Sequence, residues 1–282
     1  MSPARSAFGG ATVREALDSA VIAIAAAGSD TPRLDAELLL AAALGLDRTA
    51  LFTEPRRELT GPAVRAFQDA VRRRSAGREP VAYILGSKGF RHIDVLVDAR
   101  VLVPRPETEL LVEVALELPA GARVVDVGTG SGAVALACKH ERPDLDVVAT
   151  DVSAGALEVA RSNAAALGLD VELREGDLLA GVRDCDAVLS NPPYVADGER
   201  ASLPPEVARH EPAGALFAGA DGLDVIRRLV PAAADAGAGL LAIEVGVGQA
   251  GAVIALVCDA GFSDVGTRAD LAGIERVVVG RR

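Results

Sequence analysis

Short apolar segments alternate with helical ones over the second half of the chain, and this alternation limits the possible folds most strongly. Five valine-rich segments bounded by turn residues are predicted strands: 123–127, 146–150, 171–174, 187–190 and 240–245. Helical segments separate most of them: 133–140, 154–167, 223–236 and 250–260. Strands and helices that alternate in this way form a parallel sheet with helices on both faces.

Two more predicted strands close the chain, at 264–268 and 276–279, with a turn at Gly273 and no long helix between them. Successive strands without a long crossover pair antiparallel to each other. We therefore predict an α/β fold with a mostly parallel, seven-stranded sheet and an antiparallel strand at its end.

The first part of the chain has helical periodicity. Thr12 and Glu15 have the spacing of a capping box, which predicts that a helix begins there. Pro32 and Pro62 each follow a turn signal and stand at the first position of a further predicted helix. Residues 1–86 are therefore predicted to form a small helical domain.

A β-hairpin is predicted between the two parts. Apolar and polar residues alternate over 93–97, and the apolar run 101–103 follows after Asp-Ala-Arg. Pro104 ends the second of these segments because proline lacks a backbone donor. We expect a hairpin linker over residues 87–106 and the α/β domain over 107–282.

Charge and composition exclude several functional classes. Half of the residues are hydrophobic, enough for a sizeable core, yet no apolar run approaches the roughly 20 residues of a membrane span. The net charge is −11, of which residues 1–86 contribute +1 and the remainder −12. This acidity disfavours direct nucleic-acid binding. Three scattered cysteines and three scattered histidines predict no metal site, and the cysteine pattern is typical of a cytoplasmic protein. We expect the protein to be a monomer.

A glycine-rich loop follows the first predicted strand of the sheet. The sequence from Asp126 to Gly132 is D-V-G-T-G-S-G, and glycines at a strand-to-helix turn let a ligand approach the backbone. Asp151 ends the next strand, where a carboxylate can accept both hydroxyls of a ribose. The two features predict a nucleoside-containing cofactor. The glycine spacing also fits a dinucleotide, so an NAD-dependent oxidoreductase remains an alternative.

Two further acids bear on the cofactor. Asp126 lies where a pyrophosphate would be repelled and an ammonium group attracted. Asp177 follows the third strand, where it either accepts a hydrogen bond from an adenine amino group or is a plain turn residue.

The tetrapeptide Asn191-Pro192-Pro193-Tyr194 follows the fourth strand directly. The prolines stiffen the turn and leave carbonyl oxygens without neighbouring N–H donors. The Asn191 side-chain oxygen and the Pro192 carbonyl can together accept both hydrogens of one planar –NH2 group, and Tyr194 offers a flat wall beside it. This pattern predicts a site for a planar amide or a nucleobase.

The glycine loop and the tetrapeptide resemble those of class I S-adenosylmethionine-dependent methyltransferases. Over nearly its whole length, the chain is similar to the release factor glutamine methyltransferases, the PrmC/HemK family. The run from Arg105 to Glu109 resembles that family's linker motif, and the helical domain followed by a hairpin is its layout.

The resemblance implies that the α/β domain has the Rossmann-like fold of class I methyltransferases. It also implies that S-adenosyl-L-methionine is the cofactor and that peptide chain release factors are the substrates. The methyl group would pass to the side-chain nitrogen N5 of the glutamine in their Gly-Gly-Gln motif, and the helical domain would dock the factor. The expected cofactor-binding residues are Asp126, Gly128, Thr129, Gly130, Ser131, Gly132, Asp151, Asp177, Leu178 and Asn191. The expected substrate-binding residues are Asn191, Pro192, Pro193, Tyr194, Arg105 and Glu107, with Asn191, Pro192 and Tyr194 as the catalytic group.

Several alternatives remain open from the sequence. Arg105 and Glu107 either line the substrate mouth or only shape the linker. An exocyclic adenine amine presents the same –NH2 group, so an N6-adenine DNA or RNA methyltransferase is one alternative. A ribosomal-protein glutamine N5-methyltransferase is another. Glu244, at the end of the fifth strand, is interpreted as a polar strand terminus.

Overall fold

A computed structural model describes residues 10–282, and the chain divides into two compact units. One unit contains the residues up to Gly86 together with Pro205–His210, and the other contains Ser87–Pro204 and Glu211–Arg282. This division differs from the expected one in two places: the hairpin groups with the α/β unit, and Pro205–His210 groups with the helical unit. Residues 1–9, which the expected helical domain includes, lie outside the described residues.

The helical unit is built from apolar helix faces. Its helices are α1 (Val13–Ala26), α2 (Pro32–Leu44), α3 (Ala50–Thr53), α4 (Pro62–Ser75), α5 (Val81–Leu85) and the short helix Pro205–His210. The predicted capping box is present: the Glu15 backbone N–H donates to Thr12 Oγ1 at 3.3 Å, and the Thr12 backbone N–H donates to the Glu15 carboxylate at 2.8 Å. The core of the unit contains Leu17, Ile24, Leu40 and Phe67, all buried.

A buried arginine ties the helix Pro205–His210 into this unit. Arg74 is only 6% exposed, and its guanidinium donates to Asp35 at 2.7 Å and to Glu206 at 3.1 Å. Arg78 donates to the same Glu206 carboxylate. A buried guanidinium needs such partners, because an unpaired buried charge is strongly destabilising.

The α/β unit contains a hairpin and a seven-stranded sheet. The hairpin strands are β1 (Ser87–Phe90) and β2 (Ile93–Leu96), and the sheet strands are β3 (Arg123–Val127), β4 (Asp146–Asp151), β5 (Glu172–Glu175), β6 (Ala187–Ser190), β7 (Leu240–Glu244), β8 (Asp264–Ala269) and β9 (Glu275–Arg281). The order across the sheet is β5-β4-β3-β6-β7-β9-β8. Strands β3 to β7 are parallel, and β9 pairs antiparallel to both β7 and β8. The predicted fold class is confirmed.

Helices on the sheet bury its apolar residues. They are α6 (Glu109–Leu116), α7 (Ala133–Glu141), α8 (Ala154–Leu167), α10 (Asp224–Asp235) and α11 (Ala250–Asp259). The number α9 belongs to the short helix Pro205–His210 of the helical unit. Val188 and Leu241 of the sheet pack in one core with Ile226 and Val253 of the helices. From β3 the chain builds outward through β4 to β5 and then returns to the other side of β3 as β6. This reversal opens a crevice at the carboxyl ends of β3 and β6, where ligands bind in sheets of this type.

The hairpin lies within the predicted range 87–106, but its strands are not the two apolar segments that the sequence pattern indicated. The second strand expected at 101–103 is wrong: those residues form no strand, and the hairpin pairs Ser87–Phe90 with Ile93–Leu96. Its tight turn uses Arg91 with a positive φ of 49°, a conformation that normally calls for glycine or asparagine. Val101 and Val103 are buried nonetheless, which accounts for their apolar character.

None of the helices between residues 10 and 282 has the length and apolar character that crossing a lipid bilayer requires.

Candidate functional site

A cavity of about 480 Å³ lies at the carboxyl ends of β3, β4, β5 and β6. This volume is in the range of small-molecule sites. Eleven of the residues expected at the site line it: Asp126, Gly128, Thr129, Gly130, Ser131, Asp151, Asp177, Leu178, Asn191, Pro192 and Pro193. Four do not line it: Gly132, Tyr194, Arg105 and Glu107.

The glycine loop exposes backbone to the cavity. Gly128 and Gly130 have positive φ values of 72° and 57°, and a Cβ added at either would meet no heavy atom within 4 Å. Side chains rarely adopt this conformation, so glycine is required there for backbone reasons. Gly132 also has a positive φ, of 83°, and an added Cβ there would lie 3.0 Å from Leu136 Cδ1 and 3.3 Å from Ala160 Cβ of α8. Gly132 therefore also lets the start of α7 pack closely against α8.

Asp126 places a buried carboxylate at the floor of the cavity. The residue is 2% exposed, and its Oδ2 accepts hydrogen bonds from Thr129 Oγ1 at 2.6 Å and from the Ala135 backbone N–H at 3.2 Å. Burial, with a smaller contribution from the charge of Asp151, raises the pKa of Asp126 to about 6. A carboxylate in this position gains most from a cationic partner.

Asp151 is held by two backbone donors. Its Oδ2 accepts from the Gly130 N–H at 2.9 Å and its Oδ1 from the Ser153 N–H at 2.8 Å. Each carboxylate oxygen has a second acceptor direction, so the oriented group can still receive two hydroxyls.

Asp177 and Leu178 line the cavity beyond the end of β5. The Asp177 carboxylate forms an ion pair with Arg228, and both side chains are more than half exposed. The Leu178 carbonyl accepts a hydrogen bond from Thr150 Oγ1 at 2.8 Å, which fixes this turn to β4. Among residues 10–282, no group of three or more His, Cys, Asp or Glu side chains could hold a metal ion.

The tetrapeptide begins directly after β6. Asn191 Nδ2 donates to Thr108 Oγ1 at 3.0 Å, whereas its Oδ1 accepts no hydrogen bond from residues 10–282. Both Asn191 and Pro192 line the cavity. The free amide oxygen and the Pro192 carbonyl are therefore the acceptors available to a ligand here.

Tyr194, expected as a wall of the site, is not among the residues that line the cavity. Its hydroxyl donates to Glu244 Oε1 at 3.3 Å, and its carbonyl accepts from Gln249 Nε2 at 2.9 Å. Burial, with the nearby Glu244 charge, raises the pKa of Tyr194. The phenol therefore acts as a donor that anchors the end of the tetrapeptide to β7.

Thr108 and Glu244 are the two residues at the site that sequence reasoning missed. Thr108 is 5% exposed and bonds Asn191, and Glu244 is 2% exposed and bonds Tyr194. Burial raises the pKa of Glu244 to about 7. The available signal was a lone acid that ends the otherwise apolar strand L-L-A-I-E.

Arg105 and Glu107 lie near the tetrapeptide without lining the cavity. The Arg105 guanidinium donates to the buried Glu211 carboxylate at 2.5 Å, which joins the linker to the segment after the tetrapeptide. Glu107 is partly buried, and its charge contributes to the raised pKa of Glu244.

Two family descriptions match the chain: "PrmC N-terminal domain" over residues 15–86 and "Methyltransferase small domain" over residues 106–207. Among curated relatives, a release factor glutamine methyltransferase from Koribacter versatilis is 43% identical over 96% of this chain and 99% of its own. Those from Deinococcus radiodurans and Xylella fastidiosa are 44% and 45% identical, covering 96% and 94% of this chain and 98% of their own.

Solved structures share the fold. The hMettl16 catalytic domain in complex with MAT2A 3'UTR hairpin 6 has a TM-score of 0.52 at 15% identity, covering 78% of this chain and 81% of that one. A methyltransferase from Pyrococcus furiosus has a TM-score of 0.50 at 18% identity, and the match covers 67% of this chain and 88% of that one. At these identities the likeness establishes the fold alone.

Proposed function

The chain belongs to the release factor glutamine methyltransferases, and on that premise we propose that it methylates a glutamine side chain of peptide chain release factors. The methyl donor is S-adenosyl-L-methionine, and the acceptor is nitrogen N5 of the glutamine in the Gly-Gly-Gln motif. The observation that carries the proposal is that Asn191, whose Oδ1 accepts no hydrogen bond from residues 10–282, lines the cavity beside Pro192.

The cavity residues fit the methyl donor. The buried Asp126 carboxylate suits an ammonium group, because burial makes its ionised form costly without a cation. The two oxygens of Asp151, each fixed by one backbone donor, suit the hydroxyls of a ribose. The open backbone at Gly128 and Gly130 lets the ligand lie against the loop.

When bound, S-adenosylmethionine would supply an electrophilic methyl group, with sulfur keeping the electron pair of the broken carbon–sulfur bond, and the methylated nitrogen would pass one proton to solvent. Asn191 and Pro192 each accept one N–H of the substrate amide, which fixes the positions of the two hydrogens on its nitrogen. Positioning of this kind can contribute about 7–11 kcal/mol to lowering a barrier. The two acceptors also favour the pyramidal nitrogen, whose lone pair is no longer delocalised into the carbonyl.

We assign docking of the release factor to the helical unit. Large apolar side chains are exposed on it: Ile22 is 71%, Phe52 54% and Leu34 39% exposed. Residues 1–86 carry a net charge of +1 against −12 for the remainder, so the helical part does not repel an acidic partner.

Methyl transfer from labelled S-adenosylmethionine tests the proposal. The full-length protein is incubated separately with a release factor, with the same factor carrying glutamate in place of the Gly-Gly-Gln glutamine, with total RNA and with DNA. We expect label in the unmodified release factor alone. Label in RNA or DNA without label in the factor would show an N6-adenine methyltransferase instead.

A further inference from the structure

Asn163 of α8 is buried beside the glycine loop and does not line the cavity. The residue is 1% exposed, and its amide makes three hydrogen bonds to backbone groups. Oδ1 accepts from the Leu96 N–H at 2.7 Å, and Nδ2 donates to the carbonyl oxygens of Leu96 at 3.0 Å and of Ser131 at 2.8 Å. One side chain therefore joins α8 to the end of β2 and to the glycine loop.

These partners leave the amide a single orientation. The Leu96 N–H needs an acceptor and the two carbonyl oxygens need donors, so Oδ1 faces the N–H and Nδ2 faces the oxygens. Both hydrogens of Nδ2 are used in this way. Toward Leu96 the amide exchanges both hydrogen bonds of a strand pair, as a residue of a neighbouring antiparallel strand does. The hairpin is thus paired to a side chain of α8 at the last residue of β2.

The hairpin is also fixed at its turn. The Arg91 guanidinium donates to Glu141, the last residue of α7, at 2.8 Å, and the Arg91 backbone N–H donates to the Glu109 carboxylate at 3.2 Å. Helix α7 begins directly after the glycine loop. The hairpin is therefore bonded to the end of α7 through Arg91 and to the loop before α7 through Asn163, so it can support the loop.

The bond to Ser131 acts on backbone that faces the cavity. Ser131 lines the cavity, and both polar atoms of the peptide that joins it to Gly132 are hydrogen-bonded. Asn163 bonds the carbonyl oxygen, and the Gly132 N–H donates to the Thr129 carbonyl at 2.9 Å. Gly132 has a positive φ of 83°, and a glycine adopts negative φ about as readily. Without Asn163, this peptide can turn over and present its oxygen to the ligand instead of burying it.

The preceding residue of the loop carries a contact to Asp151. Gly130 comes directly before Ser131, and its N–H donates to Asp151 Oδ2 at 2.9 Å. A turn at Ser131 therefore also displaces a donor that orients the Asp151 carboxylate. Groups that bind a ligand need partners behind them that hold their geometry, and Asn163 is such a partner for this stretch of the loop.

We propose that Asn163 is a positioning residue for the methyl donor, which ties the Ser131 carbonyl to the hairpin and so holds the glycine loop in the form that receives S-adenosylmethionine. The proposal rests on the proposed function for the identity of the ligand alone. It makes the hairpin, which the sequence predicted as a linker, a support of the cofactor loop.

Hydrogen exchange in the ligand-free protein measures the loop directly. Asn163→Leu keeps the branched shape of the side chain and removes all three hydrogen bonds. We expect the Gly130 and Gly132 N–H groups, which are bonded in the wild type, to exchange roughly tenfold or more faster in this variant. Asn163→Ala leaves room for water at the unpaired backbone groups and is used if Asn163→Leu does not fold. Wild-type exchange rates at both glycines would overturn the proposal.

Val253→Ala is the matched control. Val253 of α11 is buried in the core and does not line the cavity, so its truncation lowers the free energy of unfolding without touching the loop. Urea unfolding gives the global loss of stability in each variant. We expect Val253→Ala to leave exchange at Gly130 and Gly132 at the rates of the wild type. Equal acceleration in the two variants would reflect a general loss of stability and would also overturn the proposal.

Binding of S-adenosylmethionine tests the consequence for the site. We expect the dissociation constant, measured by calorimetry, to rise roughly tenfold or more in Asn163→Leu and to stay unchanged in Val253→Ala. In the reaction, the KM for S-adenosylmethionine should rise while kcat stays near that of the wild type, because Asn191 and Pro192 are untouched. Wild-type affinity in Asn163→Leu would contradict the proposal. A wild type that binds S-adenosylmethionine but does not methylate release factors would refute the proposed function alone.

Discussion

Replacing Asp126 by asparagine should stabilise the protein while weakening its hold on the methyl donor. Thr129 and the Ala135 N–H both bond Oδ2 of Asp126, so the asparagine Oδ1 can take the place of that oxygen and keep both bonds. The new –NH2 replaces Oδ1 in a side chain that lines the cavity, where water can accept from it. The substitution therefore removes a buried negative charge with little change in packing.

The magnitude follows from the pKa. Burial raises the pKa of Asp126 from 3.8 to about 6. A difference of about 2 pKa units corresponds to ~3 kcal/mol between folded and unfolded states. Because the folded pKa lies above the unfolded one, the wild type loses this stability as the pH rises from about 4 to about 6. The variant has no such loss.

Urea unfolding at two pH values measures the effect. We expect Asp126→Asn to exceed the wild type in free energy of unfolding by ~3 kcal/mol near pH 8 and by roughly half of that near pH 5. Addition of S-adenosylmethionine should raise the melting temperature of the wild type more than that of the variant, because the variant offers no charge to the ammonium group. A variant no more stable than the wild type at pH 8 would refute this account of the buried carboxylate.

Two further predictions concern packing and buried charge. In Gly280→Ala the added Cβ would lie 2.5 Å from Val257 Cγ1, so we expect the free energy of unfolding in urea to fall by about 1–3 kcal/mol. Gly266→Ala is the control, because an added Cβ there meets open space and should change the free energy of unfolding very little. Arg74→Met leaves the buried Asp35 without its cation and should lower the free energy of unfolding by about 3–5 kcal/mol. As a control, Arg72→Met removes an exposed ion pair and should lower it by at most about 1 kcal/mol. Equal losses at the two arginines would contradict the buried-charge argument.

The sheet could be predicted because its strands are buried on both faces. Strands β3 and β6 have the predicted bounds, 123–127 and 187–190, since a parallel strand covered by helices is a short, continuous apolar run. The hairpin lies in the predicted linker 87–106, but its two strands could not be bounded from the sequence, for the opposite reason. Its first strand, Ser-Lys-Gly-Phe, has no apolar alternation, and the positive φ of Arg91 gives no turn signal in the sequence.

The candidate site divides along similar lines. Asp126 and Asn191 could be identified because each stands in a short motif at the end of a predicted strand. The partners of Asn191 could not. Thr108 lies 83 residues away, and only the folded chain brings its hydroxyl to the Asn191 amide. Tyr194 was predicted to be a wall of the site because its ring is flat. Its hydrogen bond to Glu244 could not be foreseen, because the two residues lie far apart in the sequence.

The central claim is that Asn191 receives the glutamine amide, and the single-turnover rate of Asn191→Ala tests it most directly. The release factor and S-adenosylmethionine are supplied at saturation, and the methylated Gly-Gly-Gln peptide is quantified by mass spectrometry. We predict a fall of roughly 100-fold or more, comparable to losing one preorganised hydrogen bond at a reacting group. The affinity for S-adenosylmethionine, measured by calorimetry, should change little. Methyl transfer by Asn191→Ala at the rate of the wild type would contradict the account.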